Sequence, residues 1–326
     1  MSVRKKRLLV AVLAYAFYRQ GVNLQLAKVQ KNATRFGPRW LGRCFLWLLR
    51  TWSNLVGVRL ASEGGDGMTA VDSTQRYLIV WHPHGFLAWA AAFFLGEFAM
   101  EARPHGREWY AMIAPALFRI PFFGEALALV NGRAVDKQVV ENLLSKGASI
   151  AIQPGGVKEQ LITRHDQEQA VFPANLGFIR MAMRYGMDLL PVYLFGENQT
   201  YQRVDGLEGV SLRIQKYTGF TIPITKGKWG LFGPLFFLFP RASNIHVRWG
   251  MPVLTGPPQN SPSDEAVEEV FQRYLANLRA VFNKYSHECL PPHVAARGLR
   301  VIRLDGKPVP PEATAPAAGS EIIARL

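Results

Sequence analysis

Downstream of a glycine-rich turn around Gly64 to Gly67, short apolar runs of strand length alternate with stretches whose apolar residues recur at helical spacing. That alternation constrains the fold most. Parallel strands need crossover connections, and crossover helices cover both faces of a sheet, so the pattern predicts an α/β fold with a mostly parallel sheet flanked by helices. Strands are expected at Arg76 to Trp81, Trp109 to Ile113, Ala126 to Val130, Ala148 to Gln153, Asp188 to Phe195 and Asn244 to Trp249. Helices are expected at Phe86 to Met100, Asp136 to Lys146, Gly177 to Tyr185 and Pro262 to about Tyr285. The last has Ser261 as its expected N-cap, Pro262 at the first helical position and Asp264 completing a capping-box pattern. Its stripe of Val267, Val270, Phe271, Tyr274, Leu275, Leu278 and Phe282 reads as a core-covering face. No internal repeat is visible.

The N-terminal stretch has a different character. Arg4, Lys5, Lys6 and Arg7 precede an apolar run from Leu8 to Tyr18, about half the roughly 20 residues that span a bilayer. A Trp-rich run from Trp40 to Trp52 follows, broken by Arg43 and Arg50, whose stems can lie along apolar surface while their charges stay in water. Two such segments fit a re-entrant hairpin or interfacial helices, with a pair of core helices as the plain alternative. The basic start and Ala14-Tyr15-Ala16 also imitate a secretory signal peptide. The run Trp229 to Pro240, with Gly233 and Pro234 inside it, is a further lipid-facing candidate that buried core would explain as well. The organisation expected is membrane-associated segments over 1–60, an α/β domain over 61–303 and a weakly ordered Pro- and Ala-rich tail over 304–326.

Composition narrows the partners. Hydrophobic residues make up 49% and charged residues 19%, below the quarter or so usual for a soluble chain, so part of the apolar surface is expected to meet lipid. A formal net charge of +14 attracts anions: nucleic acid, an anionic bilayer or a polyanionic cofactor such as coenzyme A. Nucleic acid weakens first, because no helix-turn-helix, zinc-finger or RNP-type pattern organises that charge. Cys44 and Cys289 stand far apart and without metal spacing, so neither a disulfide framework nor a zinc site is indicated.

The chemistry gathers at strand ends, where open α/β sheets hold their ligands. His82-Pro83-His84-Gly85 follows the apolar run Tyr77 to Trp81; Pro83 donates no N–H, and Gly85 permits a sharp turn. The N-terminus of the following helix disfavours imidazolium and keeps a histidine neutral, as a general base requires. Two other readings stay open, turn-closing structural histidines and half of a metal site, although His105, His165, His246, His287 and His293 supply no matching series of strand ends. Pro154-Gly155-Gly156, after Gln153, offers backbone N–H groups to an oxyanion or phosphate with Lys158 nearby, unless it is merely a turn. The run Leu190 to Phe195 ends in Gly196-Glu197-Asn198, where Glu197 is placed to orient a histidine or bind a hydroxyl, a surface acid being the default. A base, backbone donors and a carboxylate at neighbouring strand ends describe acyl transfer.

From about Trp40 to Asn283 the chain resembles the second-type diacylglycerol acyltransferase family, which includes monoacylglycerol and wax-alcohol acyltransferases, within the glycerolipid acyltransferase superfamily. The resemblance is carried by YLIVWHPHG (Tyr77 to Gly85), IPFFGEALALVNGR (Ile120 to Arg133), IQPGGVKE (Ile152 to Glu159), GFIRMAMRYGMDLLPVYLFGEN (Gly177 to Asn198) and NIHVRWGMPV (Asn244 to Val253). It implies a membrane-embedded enzyme of the endoplasmic reticulum or lipid droplet; with Arg4, Lys5, Lys6 and Arg7 marking the cytosolic side, the catalytic domain is expected to face the cytosol. Fatty acyl-CoA is the implied co-substrate, with no metal or other cofactor. The expected reaction is esterification of a neutral lipid hydroxyl, diacylglycerol to triacylglycerol first, with monoacylglycerol or a long-chain alcohol as alternatives. A phospholipid-making enzyme and an inactive lipid-binding membrane protein are the other rivals.

Within that resemblance His82 is expected as general base, with His84 and Glu197 as its catalytic companions. Pro83, Gly85, Pro154, Gly155, Gly156 and Asn198 are expected to bind the oxyanion or substrate. Two departures stand out. The superfamily's His-x4-Asp acid is missing, since Leu87 and Trp89 stand five positions after His82 and His84. Asn175-Leu176 replaces an Arg-Lys pair common before the glycine at 177, so Arg133, Lys158, Arg164 and Arg180 are the substitutes expected to meet the acyl-CoA phosphates.

Overall fold

The computed structural model describes residues 3–32, 34–62, 71–72, 74–100, 108–218, 223–230 and 238–309. In chain order the helices are α1 (Val3–Lys31), α2 (Arg39–Val56), α3 (Trp89–Met100), α4 (Phe123–Leu129), α5 (Lys137–Ser145), α6 (Gly156–Ile162), α7 (Gly177–Tyr185), α8 (Glu208–Thr218), α9 (Asp264–Cys289) and α10 (Pro292–Ala295). The strands are β1 (Val58–Ser62), β2 (Tyr77–His82), β3 (Trp109–Ile113), β4 (Gly132–Ala134), β5 (Ser149–Ile152), β6 (Glu168–Phe172), β7 (Asp188–Phe195), β8 (Gln202–Arg203), β9 (Thr225–Lys226), β10 (Ser243–Trp249) and β11 (Leu299–Arg303). The fold is α/β, with a mostly parallel sheet and flanking helices.

The chain divides into two units, the first comprising Met1–Leu48 and Ala92–Ile150. Within it β3 pairs parallel with β4, Met112 opposite Arg133. Val22 and Leu26 of α1 bury against Ala128 of α4, and Arg19 donates to Glu125 at 2.6 Å. The expected strand Ala126 to Val130 is helical instead: Gly124 N–H donates to the Ile120 carbonyl at 3.0 Å and Ala126 N–H to the Phe122 carbonyl at 3.0 Å. Glu125-Ala126-Leu127-Ala128-Leu129 is a run of strong helix formers with no β-branched residue, so propensity and i,i+4 bonding outweigh the apolar strand pattern. Asn131, at φ 62°, reverses the chain into β4.

The second unit comprises Leu49–Ala91 and Ala151–Leu326. Here β2 runs parallel to β7, Ile79 opposite Leu190 and His82 opposite Tyr193. β7 lies antiparallel to β10, and β10 parallel to β1. All of β2 is buried, the continuous apolar character of a strand covered on both faces. α9 lies on β7 and β10, and its expected stripe from Val267 to Phe282 is buried. Its start is shifted from the expected one: Ser263, not Ser261, is the N-cap, with its hydroxyl accepting from Ala266 N–H at 3.2 Å. That frame places Asp264 and Glu265 in the first turn, where the helix dipole favours acids.

The apolar run Leu8 to Tyr18 is the early part of the much longer α1, and Trp40 to Trp52 lies inside α2. Phe17 is 81% exposed on α1, and Trp40, Trp47 and Leu55 are exposed on α2. Among the described residues no helix is long and apolar enough to cross a membrane. The glycine-rich turn at 64–67, most of the 229–240 run, His105 and the tail from 310 lie outside the described residues.

Candidate active site

The HPHG turn is fixed by its neighbours. β2 delivers His82 to the strand end, the His82–Pro83 peptide is cis, and Gly85 takes φ 65°. A side chain at Gly85 would be strained by that φ and would also collide: an added Cβ would stand 2.5 Å from Glu197 Cγ and 2.9 Å from its Oε1. Glycine at 85 is therefore what lets the end of β7 close on the turn. From the PGG side, Glu159 in the first turn of α6 accepts from His84 N–H through Oε1 at 2.9 Å, and Gln153 Nε2 donates to the Pro83 carbonyl at 3.3 Å. Gly155 in turn makes room for Glu159, since an added Cβ there would meet Glu159 Oε2 at 2.1 Å. The three strand ends singled out in the sequence thus converge on one another.

The two histidines end in different surroundings. His82 is fully buried, its ring 5.0 Å from that of Phe172 and 6.3 Å from that of Tyr274, with neither ring nitrogen hydrogen-bonded. Burial pushes its pKa down to about 3, so it is neutral. His84 is half-buried, with Nδ1 3.1 Å from the Gly85 carbonyl. A carbonyl only accepts, so that contact puts the proton on Nδ1 and leaves the lone pair of the neutral ring on Nε2. Burial also lowers the His84 pKa, opposed by the Gly85 carbonyl.

Carboxyl groups surround the turn. Burial, followed by the effect of Glu168, raises Glu197 to about 8, and both of its oxygens are buried without a hydrogen-bond partner. Burial likewise raises Glu159 to about 8, against the N–H groups of His84 and Val171 that favour its charge. Glu168 is buried and raised as well, but fully engaged: Tyr193 Oη donates to Oε2 at 2.7 Å, Asn198 Nδ2 to Oε2 at 3.0 Å and Gln199 Nε2 to Oε1 at 2.9 Å. Asn198 is thereby committed to Glu168. Glu159, Glu168 and Tyr274 were not among the expected site residues. The available signals were an acid three residues into the helix that follows Pro-Gly-Gly, an acid opening the apolar strand β6, and a hydroxyl in the α9 stripe.

The other expected residues are more scattered. Gly156 N–H closes the turn on the Gln153 carbonyl at 3.2 Å, and Pro154 is half-buried beside it. Lys158 is exposed on α6, next to Glu159. Arg164 pairs with Asp166 at 3.0 Å, and Arg180 pairs with Asp264. Arg133, in the first unit, is fully buried, donates to the Gly132 and Thr34 carbonyls and lies 4.8 Å over the Tyr110 ring.

The diacylglycerol acyltransferase profile matches residues 47–294, an interval that holds the His-Pro-His-Gly, Pro-Gly-Gly and Gly-Glu-Asn strand ends. The chain belongs to that family. It is 31% identical over 256 residues to diacylglycerol O-acyltransferase 2B of Umbelopsis ramanniana, covering 74% of this chain and 70% of that one. It is 30% identical to diacylglycerol O-acyltransferase 2 of Dictyostelium discoideum, over 67% of this chain and 68% of that one. It is 32% identical to 2-acylglycerol O-acyltransferase 1 of Bos taurus, over 66% of this chain and 67% of that one. No solved structure matches. As a member of the family, the chain is an acyltransferase.

Proposed function

We propose that this acyltransferase moves the acyl group of a fatty acyl-CoA to the free hydroxyl of diacylglycerol, with His84 as general base. One observation carries the choice of base: His84 is the half-buried histidine of the turn, with Nδ1 turned to the Gly85 carbonyl at 3.1 Å and Nε2 left as the acceptor. The sequence favoured His82, but a ring with no exposure, packed against Phe172, meets a substrate only after rearrangement. We assign His82 to supporting the turn from below.

In this scheme His84 Nε2 takes the hydroxyl proton while the acceptor oxygen attacks the thioester carbonyl. The Gly155 N–H stabilises the oxyanion, and collapse breaks the C–S bond. The CoA thiolate leaves, and His84 returns the proton to it or to water. Glu159 is a positioning residue that holds the His84 main chain, and Glu197 braces Gly85. Asn198 acts through Glu168 instead of touching substrate.

Diacylglycerol as acceptor rests on the relatives bearing that name, and the similar identity to a 2-acylglycerol acyltransferase supports monoacylglycerol as the second reading. Residence in the endoplasmic reticulum membrane, with α1 and α2 lying in the interface and the site facing the cytosol, is supported by the apolar residues those helices expose. The test is labelled oleoyl-CoA supplied with diacylglycerol, monoacylglycerol, a fatty alcohol and lysophospholipid to microsomes carrying the chain. Triacylglycerol as the main labelled ester supports the proposal; a different main ester reassigns the acceptor, and no ester above the vector control favours a lipid-binding protein without turnover.

A further inference from the structure

Arg164 and Arg180, two of the cations expected from the sequence to hold the donor's phosphates, are each paired with an acid, yet a basic hollow lies just beyond the end of β7. It is an open hollow of about 460 Å³, lined among others by Gln202, Lys226, Lys228, Trp229 and Arg241, and among the described residues no acidic side chain contributes to its wall. That volume lies in the range of small-ligand sites.

The hollow is tied to the catalytic strand ends. Thr200 donates to the Glu197 carbonyl through N at 3.2 Å and through Oγ1 at 2.6 Å. Arg241 N–H then donates to the Thr200 carbonyl at 2.7 Å, while its guanidinium Nη1 donates to Gln202 Oε1 at 3.2 Å. Lys226 is paired in register with Gln202, and Lys228 N–H donates to the Phe239 carbonyl at 2.8 Å. Trp229 is 74% exposed, with its ring 5.8 Å from that of Phe239 and the Lys228 ammonium 5.1 Å from its centre.

Cations of both kinds around an exposed indole suit a ligand that carries phosphates and a flat aromatic base: guanidinium and ammonium groups meet phosphate oxygens, and a purine stacks on indole. We propose that this hollow holds the phosphorylated nucleotide end of the acyl-CoA donor, with Arg241 and Lys228 on phosphate and Trp229 against adenine. The assignment rests on the acyl-CoA reading of the donor. An anionic phospholipid headgroup shares the phosphate chemistry but lacks the base.

The test uses the full chain in detergent micelles, with Lys228→Gln/Arg241→Gln and Trp229→Ala variants whose melting temperatures match the parent. Coenzyme A alone is titrated calorimetrically, and transfer is measured with oleoyl-CoA and its 3′-dephospho analogue. The expected result is coenzyme A binding weakened by about tenfold or more in the double variant, and KM for oleoyl-CoA raised by about the same factor while kcat stays within about twofold. The 3′-dephospho donor should lose less. Equal coenzyme A affinity in parent and variants overturns the proposal, with or without turnover. An unchanged affinity accompanied by lost flotation on phosphatidylserine vesicles assigns the hollow to lipid headgroups. A parent that binds coenzyme A here but makes no ester leaves the hollow standing and removes the transfer reading.

Discussion

At the scale of single residues, the site is a set of side chains and glycines that fit only each other. Gly85→Ala asks a Cβ to occupy space held by Glu197, at a φ that L side chains rarely adopt. We expect a loss of about 1–3 kcal/mol of stability together with most of the activity, measured by denaturant melts and initial rates. Glu197→Gln separates charge from shape. The carboxyl is raised from the ordinary range to about 8 by burial, so its contribution to stability is fully present below the unfolded pKa near 4.5 and is lost as pH rises through about 8. The neutral amide should therefore melt less pH-dependently than the parent between about pH 5 and 8, and be the more stable of the two at the upper end. A parent whose melting temperature rises with pH across that window, with the variant tracking it, would show that the carboxyl is ionised in the fold.

At the scale of elements, the sequence disclosed some segments to the residue and concealed others. Trp109–Ile113, Asp188–Phe195 and Gly177–Tyr185 have the bounds expected, because each joins a clear period to turn or cap residues at both ends. Val58–Ser62 and Leu299–Arg303 were missed: each alternates charged or polar with apolar residues too briefly to announce a strand, and each forms by pairing with a partner distant in sequence. The candidate site was legible as strand ends bearing His-Pro-His-Gly, Pro-Gly-Gly and Gly-Glu-Asn, since glycine and proline punctuate sequence visibly. Which histidine is accessible was not legible, because the end of a strand and the turn after it differ in what packs over them, and the Phe172 and Tyr274 rings that cover His82 come from elsewhere in the chain. Buried Glu159 and Glu168 were hidden for the same reason, an isolated acid being a surface residue by default. The start of α9 offers a local test: Ser263→Ala removes the hydroxyl that caps Ala266 N–H and should cost about 1 kcal/mol, whereas Ser261→Ala should cost little.

At the scale of the molecule, an apolar composition and a positive charge point the same way as the exposed faces of α1 and α2. Trp40, Trp47, Leu48 and Leu55 are all exposed, and aromatic and apolar residues beside arginines favour a headgroup boundary. Replacing those four by serine should move much of the chain from the membrane pellet to the supernatant; a distribution unchanged from the parent would place the membrane contact elsewhere. The acyl-transfer site proposed above lies at the strand ends in the second unit, where the half-buried His84 sits on a turn held by Glu159 and Glu197. The central claim is that His84 removes the proton, and the direct measurement is the initial rate of triacylglycerol formation by His84→Ala and His82→Ala, each corrected for folded protein. The account predicts that His84→Ala loses about 10²–10⁴-fold in kcat while folded His82→Ala keeps measurable turnover. Normal turnover by His84→Ala, with loss confined to His82→Ala, would contradict it.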